Sequence, residues 1–200
     1  MAHPDIIFLN GPSRAGKSSI ARTLQDRITA RPYARLSCDD VVFPLAPPHW
    51  HGVDEGIRFK PTGDGGLYLH LGEGGLIMQR AFHRAARAMV SPDLGLIVDE
   101  VLFDPRLLPD WLEVLAGLDV FFVGVRCDLA ELEQRERVSP DRAKGHVRTH
   151  HESVHRHGSY DLEVDTSDMN TSRCAQRIIA ALDARPAGPT AFQRLAAATA

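Results

Sequence analysis

The chain has 200 residues, 44% of them hydrophobic and 24% charged, with a formal net charge of −3. That length fits one large domain able to cover a sheet on both faces. The slight acidity and the lack of basic blocks interleaved with aromatics exclude a protein that coats nucleic acid, and no apolar run approaches a membrane span. Cys38, Cys127 and Cys174 are dispersed and odd in number, a pattern of reduced thiols rather than a disulfide framework. Cys38 and Cys127 each end an apolar run and read as packing residues. Met1–Asp5 lacks the basic region of a signal peptide, so a cytoplasmic location is expected.

The first strand is Ile6–Leu9, and it runs into Gly11-Pro12-Ser13-Arg14-Ala15-Gly16-Lys17-Ser18, a G-x-x-x-x-G-K-S string. A glycine loop between a strand and a helix gathers backbone N–H groups around phosphate oxygens, at the positive end of the helix. Gly11 to Ser19 are therefore expected to hold a nucleoside triphosphate. Lys17 would neutralise its β- and γ-phosphates, and the Ser18 hydroxyl would hold Mg²⁺. Ile20, Leu24 and Ile28 recur every four residues and give the helix Lys17–Ala30 an inward stripe. The competing reading is a glycine-rich turn before an ordinary helix.

A second strand, Tyr33–Cys38, ends in Asp39-Asp40. A carboxylate there would lie across the phosphate loop, where phosphoryl transfer to an alcohol needs a group that orients the hydroxyl and accepts its proton. An aspartate is equally at home as an N-cap before Val41-Val42-Phe43. Asp39 is the catalytic candidate and Asp40 the cap or surface residue. Residues 44–75, with Pro44, Pro47, Pro48 and Pro61 among many glycines, read as a long loop with little regular structure, of the kind that binds an acceptor. The helix Leu76–Val90 follows, with Met78, Phe82, Ala85 and Ala86 on one side and Gln79, Arg80, His83, Arg84 and Arg87 on the other.

The third strand, Leu94–Val98, ends in Asp99-Glu100. An acid after an apolar strand matches the Walker B position that holds Mg²⁺, so Asp99 joins Ser18 as a metal candidate. Glu100 opens a rival, since a second acid there can activate water in ATPases. After the helix Leu107–Leu115 and the strand Val120–Val125 comes the helix Ala130–Arg137, within a segment of about 130–157 crowded with charge. Arg135, Arg137 and Arg142 would close over the triphosphate if this segment is a lid. The plainer reading is a solvated face with salt bridges such as Glu131–Arg135. His146, His150, His151 and His155 sit at helical spacings that suit a metal site or contact with substrate or nucleotide, although no cysteine or acid completes a zinc pattern. The last strand and helix are Tyr160–Val164 and Thr171–Ala184, and residues 185–200 read as a flexible tail.

Strand–helix alternation of this kind predicts an α/β fold, a three-layer sandwich whose five-stranded parallel sheet carries flanking helices and a lid. Residues 1–184 would form this single domain. Ligands in such sheets bind beyond the carboxyl ends of the strands.

The chain resembles the chloramphenicol phosphotransferase family of antibiotic-modifying kinases over roughly residues 6–183. The resemblance is carried by Leu9-Asn10-Gly11 with Ala15-Gly16-Lys17-Ser18, Asp39, Gly56-Ile57-Arg58-Phe59 before Asp64-Gly65-Gly66, and Ile97-Val98-Asp99-Glu100-Val101. It continues through Leu118-Asp119-Val120, Val123-Gly124-Val125-Arg126-Cys127-Asp128, Arg135-Glu136, Asp141-Arg142, His155, and Tyr160-Asp161-Leu162-Glu163-Val164-Asp165-Thr166. The resemblance implies a nucleotide-kinase-like fold with ATP and Mg²⁺, and transfer of the γ-phosphate to a hydroxyl of a small antibiotic. It implies Asp39 as the base that activates that hydroxyl, Lys17 and Ser18 on phosphate and metal, and Arg135 and Arg142 in the lid.

Two stretches depart from the family. Ser139-Pro140 stands where an arginine and a glycine are usual, so Arg137 is the candidate to supply the missing charge. His49-Trp50-His51 and Tyr68-Leu69-His70 alter the acceptor side, where Trp50 and Tyr68 would wall a pocket for a flat, partly apolar molecule beside Asp39 and Asp99. The partner expected is a small hydroxylated compound; neither nucleic acid nor a membrane is expected, and the sequence leaves a homo-oligomer open. The alternatives are a metabolic kinase of the shikimate or gluconate type, with Arg58, Lys60, Arg80, Arg84 and Arg87 gripping an anion, a P-loop ATPase or switch acting on a protein, and a histidine-based metal sensor.

Overall fold

The computed structural model describes residues 3–63, 65–139 and 144–199. Seven strands and eight α-helices are found among them. In chain order they are β1 (Ile6–Asn10), α1 (Lys17–Arg27), β2 (Tyr33–Ser37), α2 (Cys38–Leu45), β3 (Ile57–Pro61), β4 (Leu67–Leu71), α3 (Glu73–Met89) and β5 (Gly95–Glu100). They continue with α4 (Leu107–Val114), β6 (Val120–Arg126), α5 (Leu129–Arg137), α6 (Val147–Ser153), β7 (Leu162–Asp165), α7 (Thr171–Asp183) and α8 (Ala191–Thr199).

Five strands form one parallel sheet in the order β2-β5-β1-β6-β7. The central strands β5, β1 and β6 are largely apolar because both faces are covered. Alternate side chains of β1 enter different cores. Ile6 and Phe8 pack with Phe82, Trp111 and Phe122, while Ile7 and Leu9 pack with Ile20, Leu24 and Ile178. From β1 the chain runs to β2 on one side, and from β5 it crosses to β6 on the other, so the crevice at the carboxyl end of β1 is the topological switch point. The expected three-layer α/β sandwich is present.

Three readings need correction. The segment 44–75 is not a structureless loop: Ile57–Pro61 and Leu67–Leu71 pair as an antiparallel hairpin, with Ile57, Leu69 and Leu71 turned into the core. On α3, Gln79 and His83 lie on the buried face beside Phe82, not on the solvent side with Arg80 and Arg84. The end of the chain is not loose. Ala191 and Phe192 of α8 are buried, and the Phe192 ring stands 5.1 Å from Phe122 at 87°. Asp161 fastens this helix, its carboxylate accepting the N–H of Ala191 at 2.7 Å and that of Phe122 at 2.8 Å. Among the described residues no helix is long and apolar enough to cross a membrane.

Candidate active site

The phosphate loop owes its shape to two left-handed residues. Gly16 has φ +86°, which glycine adopts freely, and Arg14 has φ +69°, which it does not. Such alternation turns successive N–H groups inward and makes an anion-binding concavity. Lys17 lies over the loop, 5% exposed, donating to the Pro12 carbonyl at 3.0 Å with its ammonium 3.8 Å from Asp99. Asp99 is the next-to-last residue of β5, in register with Leu9 and Ser37 of its two neighbours. Its Oδ2 accepts the Ser18 hydroxyl at 2.6 Å. A cavity of about 220 Å³ opens here, lined by Ser13, Arg14, Gly16, Lys17, Ser18 and Ser19 from the loop, with Asp39 and Asp99 opposite. Gly11, Pro12 and Ala15 build the back of the loop and do not line it.

Asp39 sits in the first turn of α2, half-buried. The cap role belongs to Ser37, whose hydroxyl oxygen accepts the Asp39 N–H at 3.3 Å. Asp40 is exposed and pairs with Arg35 at 3.4 Å. The Asp39 side chain therefore has no duty as the cap. It lines the phosphate cavity and also a second, more apolar cavity of about 310 Å³. Phe43, Phe59, Leu69, Val101 and Phe103 wall that second space, with Gln79, His146 and His150 as its polar members. Ser13, Cys38, Asp39 and Val101 are common to both cavities, so the carboxylate stands at their junction.

Trp50 and Tyr68 are not brought there. Tyr68 is on the outward side of β4, 38% exposed, because strand alternation sends Leu69 inward in its place. Trp50 packs on the start of α3, where a Cβ at Gly74 would come within 2.8 Å of its ring. The aromatic walls are Phe43, Phe59 and Phe103.

The segment expected as a lid is partly described. Arg142 and its neighbour Asp141 lie outside the described residues, as does Asp64 of the hairpin turn. Arg135 makes the expected pair with Glu131 at 2.9 Å and does not line the phosphate cavity. Its guanidinium donates to the Arg14 carbonyl at 3.1 Å and to the Thr166 carbonyl at 2.9 Å, which holds the left-handed turn of the loop in place. Arg137 is exposed on α5. Another cation comes from the expected phosphate loop itself. Arg14 donates to the Ser139 hydroxyl at 2.7 Å while lining the phosphate cavity, and its Nε and Nη2 are buried without partners among the described residues. The loop itself thus places a charge beside the position where Ser139 supplies none.

The histidines of the lid are packing and hydrogen-bonding groups. Among the described residues no three His, Cys, Asp or Glu side chains converge as a metal site. His146 Nδ1 lies 3.2 Å from Glu136, and His150 shares a hydrogen bond with Ser13 at 3.0 Å. Burial, reinforced by the charges of His146 and Lys17, lowers the His150 pKa to about 3. His155 bonds to the Tyr160 hydroxyl at 2.6 Å, and burial again lowers its pKa to about 3. The same hydroxyl takes the Asn10 amide at 2.7 Å, tying the end of β1 to α6 and to the approach to β7.

Glu100 is one residue beyond Asp99 and faces the opposite way, as strand alternation requires. It is fully buried, accepting the Val101 N–H at 2.8 Å and the Trp111 indole N–H at 3.2 Å, with His83 at 3.9 Å. It lines neither the phosphate cavity nor its apolar neighbour. Burial raises its pKa from 4.5 to about 7 and lowers that of His83 to about 4. A raised carboxyl pKa means the folded state holds a proton that the unfolded state releases, so stability falls as pH rises from 4.5 through 7. His83 acts oppositely, adding stability as pH rises from 4 to 6.5, so the Glu100 contribution stands alone above that range. Glu100→Gln is accordingly expected to melt higher than wild type at pH 8, by up to about 3 kcal/mol of stability, with the gain shrinking toward pH 5. Melting midpoints across pH measure this, and an advantage independent of pH would contradict it.

Residues 4–183 match the family described as chloramphenicol phosphotransferase-like protein. Among curated relatives, "Putative O-phosphotransferase Rv2636" of Mycobacterium tuberculosis is 30% identical over 207 residues, covering 98% of this chain and 89% of the relative. Among solved structures, Mycobacterium tuberculosis APS kinase CysC in complex with AMPPNP and APS superposes with a TM-score of 0.64 at 16% identity, covering 92% of this chain and 99% of that one. The Deinococcus radiodurans tunicamycin resistance protein gives 0.59 at 21% identity, covering 94% and 100%. The two structures share the fold. The family match spans nearly the whole chain and includes the phosphate loop, Asp39 and Asp99, so this chain belongs to the chloramphenicol phosphotransferase-like family of P-loop kinases.

Proposed function

We propose that this kinase moves the γ-phosphate of ATP to a hydroxyl of a small, uncharged, partly apolar molecule of the antibiotic type. The observation that carries the reading is the position of Asp39, shared by the phosphate cavity and the apolar cavity. A carboxylate at that junction can accept a hydrogen bond from an acceptor hydroxyl and aim its oxygen at the outermost phosphorus. As the new O–P bond forms, the bond to the bridging oxygen of the β-phosphate breaks, ADP leaves, and the proton passes to Asp39. The transition state is loose, so positioning matters more than basicity. Lys17 and the loop N–H groups hold the phosphates, and Arg14 adds charge from the loop side. Ser18 Oγ and Asp99 Oδ2 are hard oxygen donors 2.6 Å apart, a set that fits Mg²⁺. When bound there, the ion neutralises charge on the terminal phosphate oxygens.

An uncharged acceptor is favoured because no lysine or arginine among the described residues lines the apolar cavity. Arg58 and Lys60 are paired with Asp54, Arg80 with Glu73 and Arg84 with Asp110. Arg87 is exposed. A kinase that grips an anionic acceptor needs a cation in that wall.

The test is a panel of chloramphenicol, uridine, shikimate and gluconate, each incubated with ATP and followed by the mass gain of one phosphoryl group. Transfer to an uncharged member is the expected result. Transfer to shikimate or gluconate alone would favour the metabolic alternative, and ATP consumption independent of any alcohol would favour an ATPase.

A further inference from the structure

Two residues that line the apolar cavity each carry a buried polar atom with no hydrogen-bond partner among the described residues. Gln79, reaching in from α3, is 2% exposed and its Oε1 has no hydrogen-bond partner. His150, on α6, is 4% exposed; Ser13 occupies Nδ1 and nothing occupies Nε2. Native proteins satisfy nearly all such atoms, because burying one unpaired costs stability. Two in the wall of one cavity, beside the apolar side chains of Phe43, Phe59, Leu69 and Phe103, mark groups held for something that enters it.

The chemistry of each atom limits what it can read. An amide oxygen accepts, so Gln79 calls for an N–H or O–H on the ligand. The His150 ring is neutral at physiological pH, because burial and the charges of His146 and Lys17 disfavour its cation. It offers one hydrogen bond and no charge. Phe103 stacks on the ring at 5.3 Å and fixes its plane.

We propose that Gln79 and His150 are the specificity-determining residues of the acceptor cavity, Gln79 Oε1 receiving an amide N–H or second hydroxyl of the acceptor and His150 Nε2 binding a further polar group. The inference rests on the kinase reading given above. The acceptor is then an uncharged molecule with at least one polar hydrogen besides the hydroxyl that is phosphorylated. Asp39 acts on the reacting group, and the pair from α3 and α6 sets which molecule presents it.

Two variants of the full chain test this. Gln79→Met keeps the length and removes the polar atoms. Asparagine in His150→Asn retains a group at the Nδ1 position for Ser13 and removes Nε2. If Gln79 is held for a ligand, the free Gln79→Met protein should melt higher than wild type by about 2–4 °C. A lower midpoint would show the amide to be structural and overturn the inference. With ATP and whichever panel member is phosphorylated fastest, both variants should raise the acceptor KM by about 10- to 100-fold and leave the ATP KM unchanged. For Gln79→Met, discrimination against an N- or O-methylated form of that acceptor should also disappear. Unchanged acceptor KM in both variants would overturn the inference. The melting comparison needs no acceptor, so a panel in which nothing is phosphorylated counts against the kinase reading, while a destabilised Gln79→Met counts against the specificity pair alone.

Discussion

Asp39→Asn is expected to bind ATP as the wild type does and to transfer phosphate about 10²- to 10⁴-fold more slowly. The substitution is isosteric, and the N-cap of α2 survives it because the capping hydroxyl belongs to Ser37 and receives a backbone N–H. Asp39 is half-buried, so neither charge nor volume upsets a packed core. What disappears is the proposed proton acceptor, the residue that lines both cavities. The amide can hold the alcohol in place, yet it cannot take the proton as the O–P bond forms. Calorimetric titration with ATP and single-turnover transfer to an accepted alcohol separate the two effects. Turnover within a few-fold of wild type, with binding intact, would remove Asp39 from the chemistry. Asp39→Glu moves the carboxylate by one methylene, and intermediate activity there would tie the loss to position as well as to charge.

The parts of this site legible in the sequence are those made by neighbours along the chain. G-x-x-x-x-G-K-S after an apolar run specifies a strand, a nest of N–H groups and a helix together, and Lys17, Ser18 and Asp99 meet as that motif requires. The alternation of apolar and polar residues in Ile57–Phe59 and Leu69–Leu71 was a visible hairpin signal, masked by the surrounding prolines and glycines. Gln79 and His83 are polar yet buried, so polarity alone does not reveal which face of α3 they occupy. Each is on the inward stripe of α3 by its spacing from Phe82 and Ala86, and His83 is retained there by Asp110 and by stacking on Trp111 at 3.9 Å. The acceptor walls were out of reach for another reason. Phe43, Phe59, Phe103 and His150 come from four separate segments, and only the folded chain brings them together. Trp50 and Tyr68 lie within the segment 44–75 expected to bind the acceptor, but nearness in sequence does not bring them to the cavity. Arg14 was legible as a letter in the motif, but its reach to Ser139 was not.

Lys17→Ala should weaken nucleotide binding and transfer together, with kcat/KM for ATP lower by about 10²- to 10³-fold. The ammonium is 5% exposed between the Pro12 carbonyl and Asp99, so the loop already holds it where phosphate charge would arrive. Without it, Asp99 keeps the Ser18 hydroxyl as its partner and opposes incoming phosphate by like charge. The stabilisation that ATP confers on melting, which grows with ligand concentration over Kd, should shrink accordingly. Lys17→Arg retains the charge but spreads it over a longer, planar fork in place of a compact ammonium, so it should not restore activity. Wild-type kinetics in Lys17→Ala would mean that the triphosphate lies elsewhere, and Asp39 would then have no phosphorus to face. The two variants therefore check the same geometry from opposite sides: one removes the group that holds the donor, the other the group that aims the acceptor. Asp39→Asn should separate binding from transfer, whereas Lys17→Ala should lose both.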